Sequence, residues 1–433
     1  DCWAWLFDRL IDAEVKERRA AGAEEAGLSW AAQVSQFLAD PDSTVPLGEN
    51  CPIGELARLA LPVDALTSPQ IPLECGAEYA SLVTALMGWA YSVKRRELLH
   101  KLGWAAAAAA TAPILAGLDP DEMEHVALAI QTPSRVDSAV IDHIEEVLWR
   151  CKRQDDTLGP QAVFNAVLAQ RNLVLAMQAD ASTDLRPQLL SVFGKLSEYV
   201  GWLSFDLHDF DGAQDYYEEA LRAALEAKDA ELAGFVLCDM SSLATWRGMA
   251  RLGVDHAMAA REWAERTDSP LLGSYAADMA ACAYAMNGEQ GAYMEMHNAA
   301  HSKLNAATAQ GERSRLLYFH GWGLLASNES QCLLQFGEAD KAAVAATQAL
   351  MLIDGSFVRE RALATVELGV AHVRARNVEE AANVLADAIE LAARNRSPRL
   401  MGRLRAARAE MHPWRSTRAV RDLDERLASY GLA

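Results

Sequence analysis

Apolar positions recur along most of this chain at intervals of three and four, the spacing of one face of a helix. Runs alternating at period two, the mark of a half-buried strand, are hard to find. The stretches "WAWLFDRLIDAEVKERRAAG" and "SWAAQVSQFLAD" predict helices within residues 3–39. Asp40 to Cys75 is proline-rich and predicts an irregular connection with one short helix near Glu55–Leu61. Helical pattern returns from Tyr79 to Leu102. At Asp119-Pro120-Asp121-Glu122 a capping residue, a first-turn proline and a glutamate announce another helix start. Ser134 to Asp155 then sets Val136, Val140, Ile144, Val147, Leu148 and Cys151 on one face. From Gln161 helices continue to the end. The pattern divides the chain into an N-terminal helical region (1–39), a Pro-rich linker (40–75), junction helices (76–160), a solenoid (161–395) and basic C-terminal capping helices (396–433).

Within the solenoid the chain repeats itself. Five segments combine a short polar turn with an alanine and a second alanine seven residues on: "HDFDGAQDYYEEA", "LGVDHAMAAREWA", "GEQGAYMEMHNA", "GEADKAAVAATQA" and "RNVEEAANVLADA". The first alanines are Ala213, Ala257, Ala292, Ala342 and Ala381. Small residues in step allow paired antiparallel helices to approach closely, and stacked pairs bury a continuous core. The expectation is an all-α fold, an α-solenoid of about five to seven helix pairs.

These segments resemble tetratricopeptide repeats. Gly201 and Gly369 fall where that family places its glycine, Leu368 matches the preceding leucine, and Tyr217 the aromatic between the alanines. Thr245, Ala280 and Ser330 replace the glycine elsewhere, and the family proline is out of register. A wider likeness begins at Ser92 with "KRRELL" and the alanine run, continues through "SRVDSAVIDHIEEVLWRCKRQDDTLGP", and reaches "GWLSFDLHDFDGAQDYYEEALRAA". In that order it is similar to tetratricopeptide-repeat transcriptional regulators of high-GC bacteria. The resemblance implies a repressor-type helix-turn-helix ahead of the repeats, a peptide, small molecule or protein bound by them, and dimerisation.

Composition and charge modify this picture. The formal net charge is −20, which disfavours nonspecific contact with nucleic acid or anionic lipid. Residues 1–91 hold five basic side chains, Arg9, Lys16, Arg18, Arg19 and Arg58, against fourteen acidic ones, a balance that repels phosphate. The stretch "SVKRRELLHKLGWAAAAAATAPILAGL" has the letters of a twin-arginine export signal, but it lies internally and is too alanine-rich to anchor in a bilayer. It reads as a junction helix. Seven cysteines at 2, 51, 75, 151, 238, 282 and 332 show neither CxxC nor framework spacing, and they predict reduced, packed thiols in a cytoplasmic protein.

No catalytic motif stands out, so a non-enzymatic protein without a cofactor is expected. His297 and His301 sit four apart on a helix but lack a third ligand at helical spacing, so no metal site is expected. Solenoids take partners on the face formed by the first helix of each pair. The candidate contacts there are Arg171, Asn172, Asp239, Trp246, Tyr275, Asp278, Asn328 and Gln331. Arg394 to Arg426 carries ten arginines and four acids. Arg396, Arg399 and Arg403 either contact an anion or pair with the acidic body. Two functions stand: a transcriptional regulator sensing a ligand through its repeats, or an adaptor that grips a protein and never touches DNA.

Overall fold

The computed structural model describes residues 137–178 and 183–431. The chain divides into two compact units, Asp1–Ala105 and Ala106–Ala433, and every described residue belongs to the second. The expected N-terminal helices, the Pro-rich linker and most of the junction segment, Val136 included, lie outside the described residues.

The described residues form fourteen α-helices and no strand. We number them α1 (Ser138–Leu158), α2 (Phe164–Gln178), α3 (Arg186–Asp206), α4 (Phe210–Ala227), α5 (Ala230–Trp246), α6 (Ala250–Thr267) and α7 (Pro270–Met286). Then come α8 (Gln290–Gln310), α9 (Trp322–Gln335), α10 (Ala339–Leu352), α11 (Val358–Arg374), α12 (Val378–Asn395), α13 (Pro398–Glu410) and α14 (Arg418–Ser429). None of these helices is long and apolar enough to cross a membrane.

From α3 onward the helices form antiparallel pairs, α3–α4 through α11–α12, followed by the shorter α13 and α14. The first helix of a pair is sandwiched on both sides, as in α5, where Leu232 through Ser241 are all buried. The second helix shows one apolar stripe: in α4 it comprises Ala213, Tyr217, Ala220, Ala223 and Ala224.

The turn inside each pair is built the same way five times. A left-handed residue follows the first helix: His208, Gly248, Gly288, Gly337 and Arg376. The next amide then reaches back to the helix's last turn, as Glu289 N does to the Tyr284 carbonyl at 2.9 Å and Asn377 N to that of His372 at 2.9 Å. Glycine enters this conformation without a Cβ clash, whereas His208 and Arg376 do not. Arg376 is exposed, so Arg376→Gly is expected to raise stability by about 0.5–1 kcal/mol, read by urea unfolding; no gain would mean the turn is relaxed as it stands.

The turns also correct the repeat register. The fourth residues of the second helices are Ala213, Gly253, Tyr293, Ala342 and Ala381. In the second and third repeats the expected Ala257 and Ala292 are therefore out of step. Opposite these positions the first helices carry Gly201, Ser241, Ala281, Ser330 and Gly369, small in every case. A Cβ on Gly201 would lie 2.7 Å from the Tyr217 ring, and one on Gly369 2.6 Å from Leu385. Where serine stands instead, its hydroxyl donates to the facing carbonyl: Ser241 to Gly253 at 2.7 Å, Ser330 to Ala342 at 2.9 Å.

Candidate functional site

The inner face of the array, lined by α3, α5, α7, α9, α11 and α13, is covered by the chain itself. Helix α1 packs on it. Its stripe begins apolar, with Val140, Ile141, Ile144, Val147, Leu148 and Cys151, and continues as Lys152, Asp155 and Asp156, all buried. Lys152 lies 3.6 Å from Glu198 of α3 and 4.8 Å above the Tyr199 ring. Tyr199 donates to Asp155 at 3.0 Å, and Asn395 Nδ2 donates to the Asp155 carbonyl at 3.2 Å. Gly159, left-handed at φ 89°, ends the helix so close to Asn395 that no side chain fits.

An irregular segment between α8 and α9, residues 311–321, completes the cover. Tyr318 donates to Asp156 at 3.1 Å and meets Trp149 edge-on at 4.8 Å, while Arg315 pairs with Glu146 at 3.2 Å. His320 is buried against Ser274 at 2.9 Å, and burial holds its imidazole down at about 3.

Beneath α1 lies a chain of ion pairs that joins the start of the array to its end. Arg359 of α11 reaches both oxygens of Asp155 at 3.0 Å and Asp206 of α3 at 3.4 Å. Arg399 of α13 donates to Asp206 at 2.8 Å and lies 5.0 Å from the Trp202 and Phe205 rings. All four charged side chains are at most 8% exposed. Burial alone would raise the Asp206 carboxyl, but Arg359 and Arg399 outweigh it and hold it below the usual range. With one arginine beside it, Asp155 stays raised by burial.

Further along the face the acids have fewer cations. Burial raises Glu198 and Asp239, with Lys152 drawing Glu198 back and Glu198 pushing Asp239 further up. Tyr275 donates to Asp239 at 3.1 Å. Asn328 donates to Asp278 at 2.7 Å, yet burial pushes Asp278 up to about 8. Asp156 is raised to about 7 by burial and by Glu360. Neutral carboxylic acids here can donate hydrogen bonds as well as accept them.

The expected contact residues therefore separate into groups. Asp239, Tyr275, Asp278 and Asn328 meet on the inner face as two bonded pairs, and Trp246 lies half-buried beside Phe205 and Arg399. Gln331 lines a cleft of about 30 Å³ with Glu367, Arg374 and Arg403, room for little more than a water-sized group. Arg171 and Asn172 stand apart on α2. There Arg171 donates to Ser197 at 3.1 Å and Glu219 at 3.0 Å, and to Asn172 at 2.7 Å. Arg396, Arg399 and Arg403 do not share a face offered to an anion. Arg396 is the exposed left-handed cap of α12, Arg399 is committed to Asp206, and Arg403 pairs with Glu367. His297 and His301 have no third ligand at helical spacing, but Glu329, one helix pair on, brings a carboxylate oxygen within 4.8 Å of a ring nitrogen of each. Sequence reasoning gave α1 an apolar face but no place on this surface, because the partners of Lys152, Asp155 and Asp156 lie far away in sequence.

No family model matches the chain, and no curated protein matches it. Among solved structures it is similar to a Rap protein complexed with competence and sporulation factor, at 12% identity and TM-score 0.45, covering 72% of this chain and 87% of that one. It is similar to NprR in complex with its cognate peptide NprX at 14% identity and TM-score 0.45, covering 73% and 86%. A STAND protein with a tetratricopeptide repeat sensor from Pyrococcus horikoshii matches at 13% identity and TM-score 0.39, covering 88% of this chain and 62% of that one.

Proposed function

We propose that the chain is a non-enzymatic, cytoplasmic regulatory protein whose repeat array binds a peptide, small molecule or protein partner in exchange for its own helix α1. The observation that carries this reading is the polar attachment of α1. Its last turns are held on the inner face through Lys152–Glu198 and Asp155–Arg359, and to the 311–321 segment through Asp156–Tyr318. A buried ionic seam gives register but little net stability over an alternative that satisfies the same groups, so a competing ligand with matching polar groups can replace it. Release of α1 would pass to whatever precedes it in the chain, which is how a binding event becomes an output.

The test is selection of peptides from a random library on the full chain, followed by hydrogen exchange with the winners bound. Faster exchange at the α1 amides, with the outer helices unchanged, is the expected result. Peptides that bind while α1 stays protected would sink the exchange idea.

Transcriptional control is the finer version of this reading, and a DNA-free adaptor the second, favoured by the acidic balance of residues 1–91. Capture of fragmented host DNA by the full chain at about 0.1 M salt separates them. Enriched loci support the regulator, and a folded protein enriching none leaves the adaptor. Dimerisation belongs to the regulator version.

A further inference from the structure

Where residues 311–321 join the third helix pair to the fourth, three donors come together. His297 and His301 occupy successive turns of α8 on the same side, as an i, i+4 pair must. Glu329 reaches them from α9. One donor atom from each residue can be chosen so that all three lie within 4.8 Å of one another, and His297 Nε2 is 3.6 Å from Glu329 Oε1. A tetrahedral ion bound at about 2.1 Å spaces its donors by about 3.4 Å, so one contact is already at that separation and the rest close by side-chain rotation.

Two details set this cluster apart from an ordinary helix face. His301 Nε2 is buried and has no hydrogen-bond partner, a costly arrangement for a ring nitrogen with an ordinary structural role. The two imidazoles also meet edge-on at 4.4 Å between centroids, with Tyr293 stacked on His297 at 5.5 Å. Two cationic rings at that distance would repel, so the packing favours neutral imidazoles, each with a lone pair to give.

We propose that His297, His301 and Glu329 form a binding site for a divalent first-row transition metal, with Zn²⁺ as the fitting ion. Two imidazoles and one carboxylate are a recurrent three-ligand set for such ions and leave at least one position for water or a partner's donor. Residues His301 and Glu329 are half-buried rather than sealed, which gives the ion a way in. Bound there, it ties α8 to α9 across the irregular segment that joins them.

The experiment is calorimetric titration of Zn²⁺ into the full chain after chelator treatment and dialysis, repeated with Co²⁺ for its absorption spectrum. Wild-type protein should bind one equivalent with a dissociation constant below about 1 μM and melt higher with the metal present. The Co²⁺ bands should lack thiolate charge transfer, since the set contains no sulfur. Both His301→Ala and the near-isosteric Glu329→Gln should weaken that equivalent at least tenfold, with circular dichroism confirming that each variant is folded. No stoichiometric binding by the wild type, or undiminished binding by the folded Glu329→Gln protein, would overturn the site.

Discussion

Arg359→Met is expected to lower the unfolding free energy by about 3–5 kcal/mol, the cost of leaving buried carboxylates without their cation. Among the described residues, Asp155 loses its only guanidinium partner and Asp206 keeps only Arg399. The loss reflects orphaned charge more than the intrinsic worth of the pair. A double variant, Arg359→Met with Asp155→Asn, should therefore recover a large part of it, because the amide leaves no charge uncompensated. Urea denaturation of the wild type, both single variants and the double variant measures this directly. A loss below about 1 kcal/mol for Arg359→Met would show that water reaches the network and that it does not clamp α1 to the array.

Asp278→Asn is expected to gain stability over the wild type as pH rises, by roughly 3–4 kcal/mol between pH 5 and pH 8. The folded carboxyl titrates near 8, whereas an ordinary aspartate does so at 3.8. Between those values the folded state holds a proton that the unfolded chain has released. That contribution is complete below the unfolded value and is lost as pH rises through the folded one, with a ceiling of about 1.4 kcal/mol per pH unit for one group. Asparagine copies the neutral acid and still accepts from Asn328, so it removes this slope. Asp156, raised to about 7, and the raised Glu198 and Asp239 have the same sign, while His320, held down at about 3, opposes them below its ordinary 6.5, so the wild type should lose stability between pH 6.5 and 8. Unfolding curves at pH 5, 6.5 and 8 decide the matter. Wild-type stability that rises between pH 6.5 and 8, or parallel curves for wild type and variant, would refute the account.

The helix pairs were legible because their turns carry local signals, a polar start to the second helix and, in three of the five, glycine after the first. The register was less so. Alanine is so abundant that Ala257 and Ala292 could stand in for Gly253 and Tyr293, and only the left-handed turns set the five repeats in step. For α1 the apolar stripe marked the buried face as far as Cys151. The burial of Lys152, Asp155 and Asp156 depends on Glu198, Arg359 and Tyr318, distant in sequence and invisible to any periodicity. Glu329 was missed for the same reason: a ligand set split between two helix pairs has no spacing signature. Asp239, Tyr275, Asp278 and Asn328 could be named because each lies on the first helix of its pair, whereas Arg171 and Asn172 precede the repeats.

The ion pairs from Asp155 to Arg359 and from Asp206 to Arg399 join segments more than 150 residues apart. An open repeat array is a one-dimensional lattice that can nucleate anywhere, fray from its ends and lose a terminal unit at modest cost. Linking its beginning to its end removes the ends. The chain must meet the entropy of a long loop closure before the last contacts form, which raises its contact order and slows its folding. In return, partial unfolding from either terminus is coupled to the whole, so this unit should melt as one body where an unclosed relative of equal length would peel apart in stages.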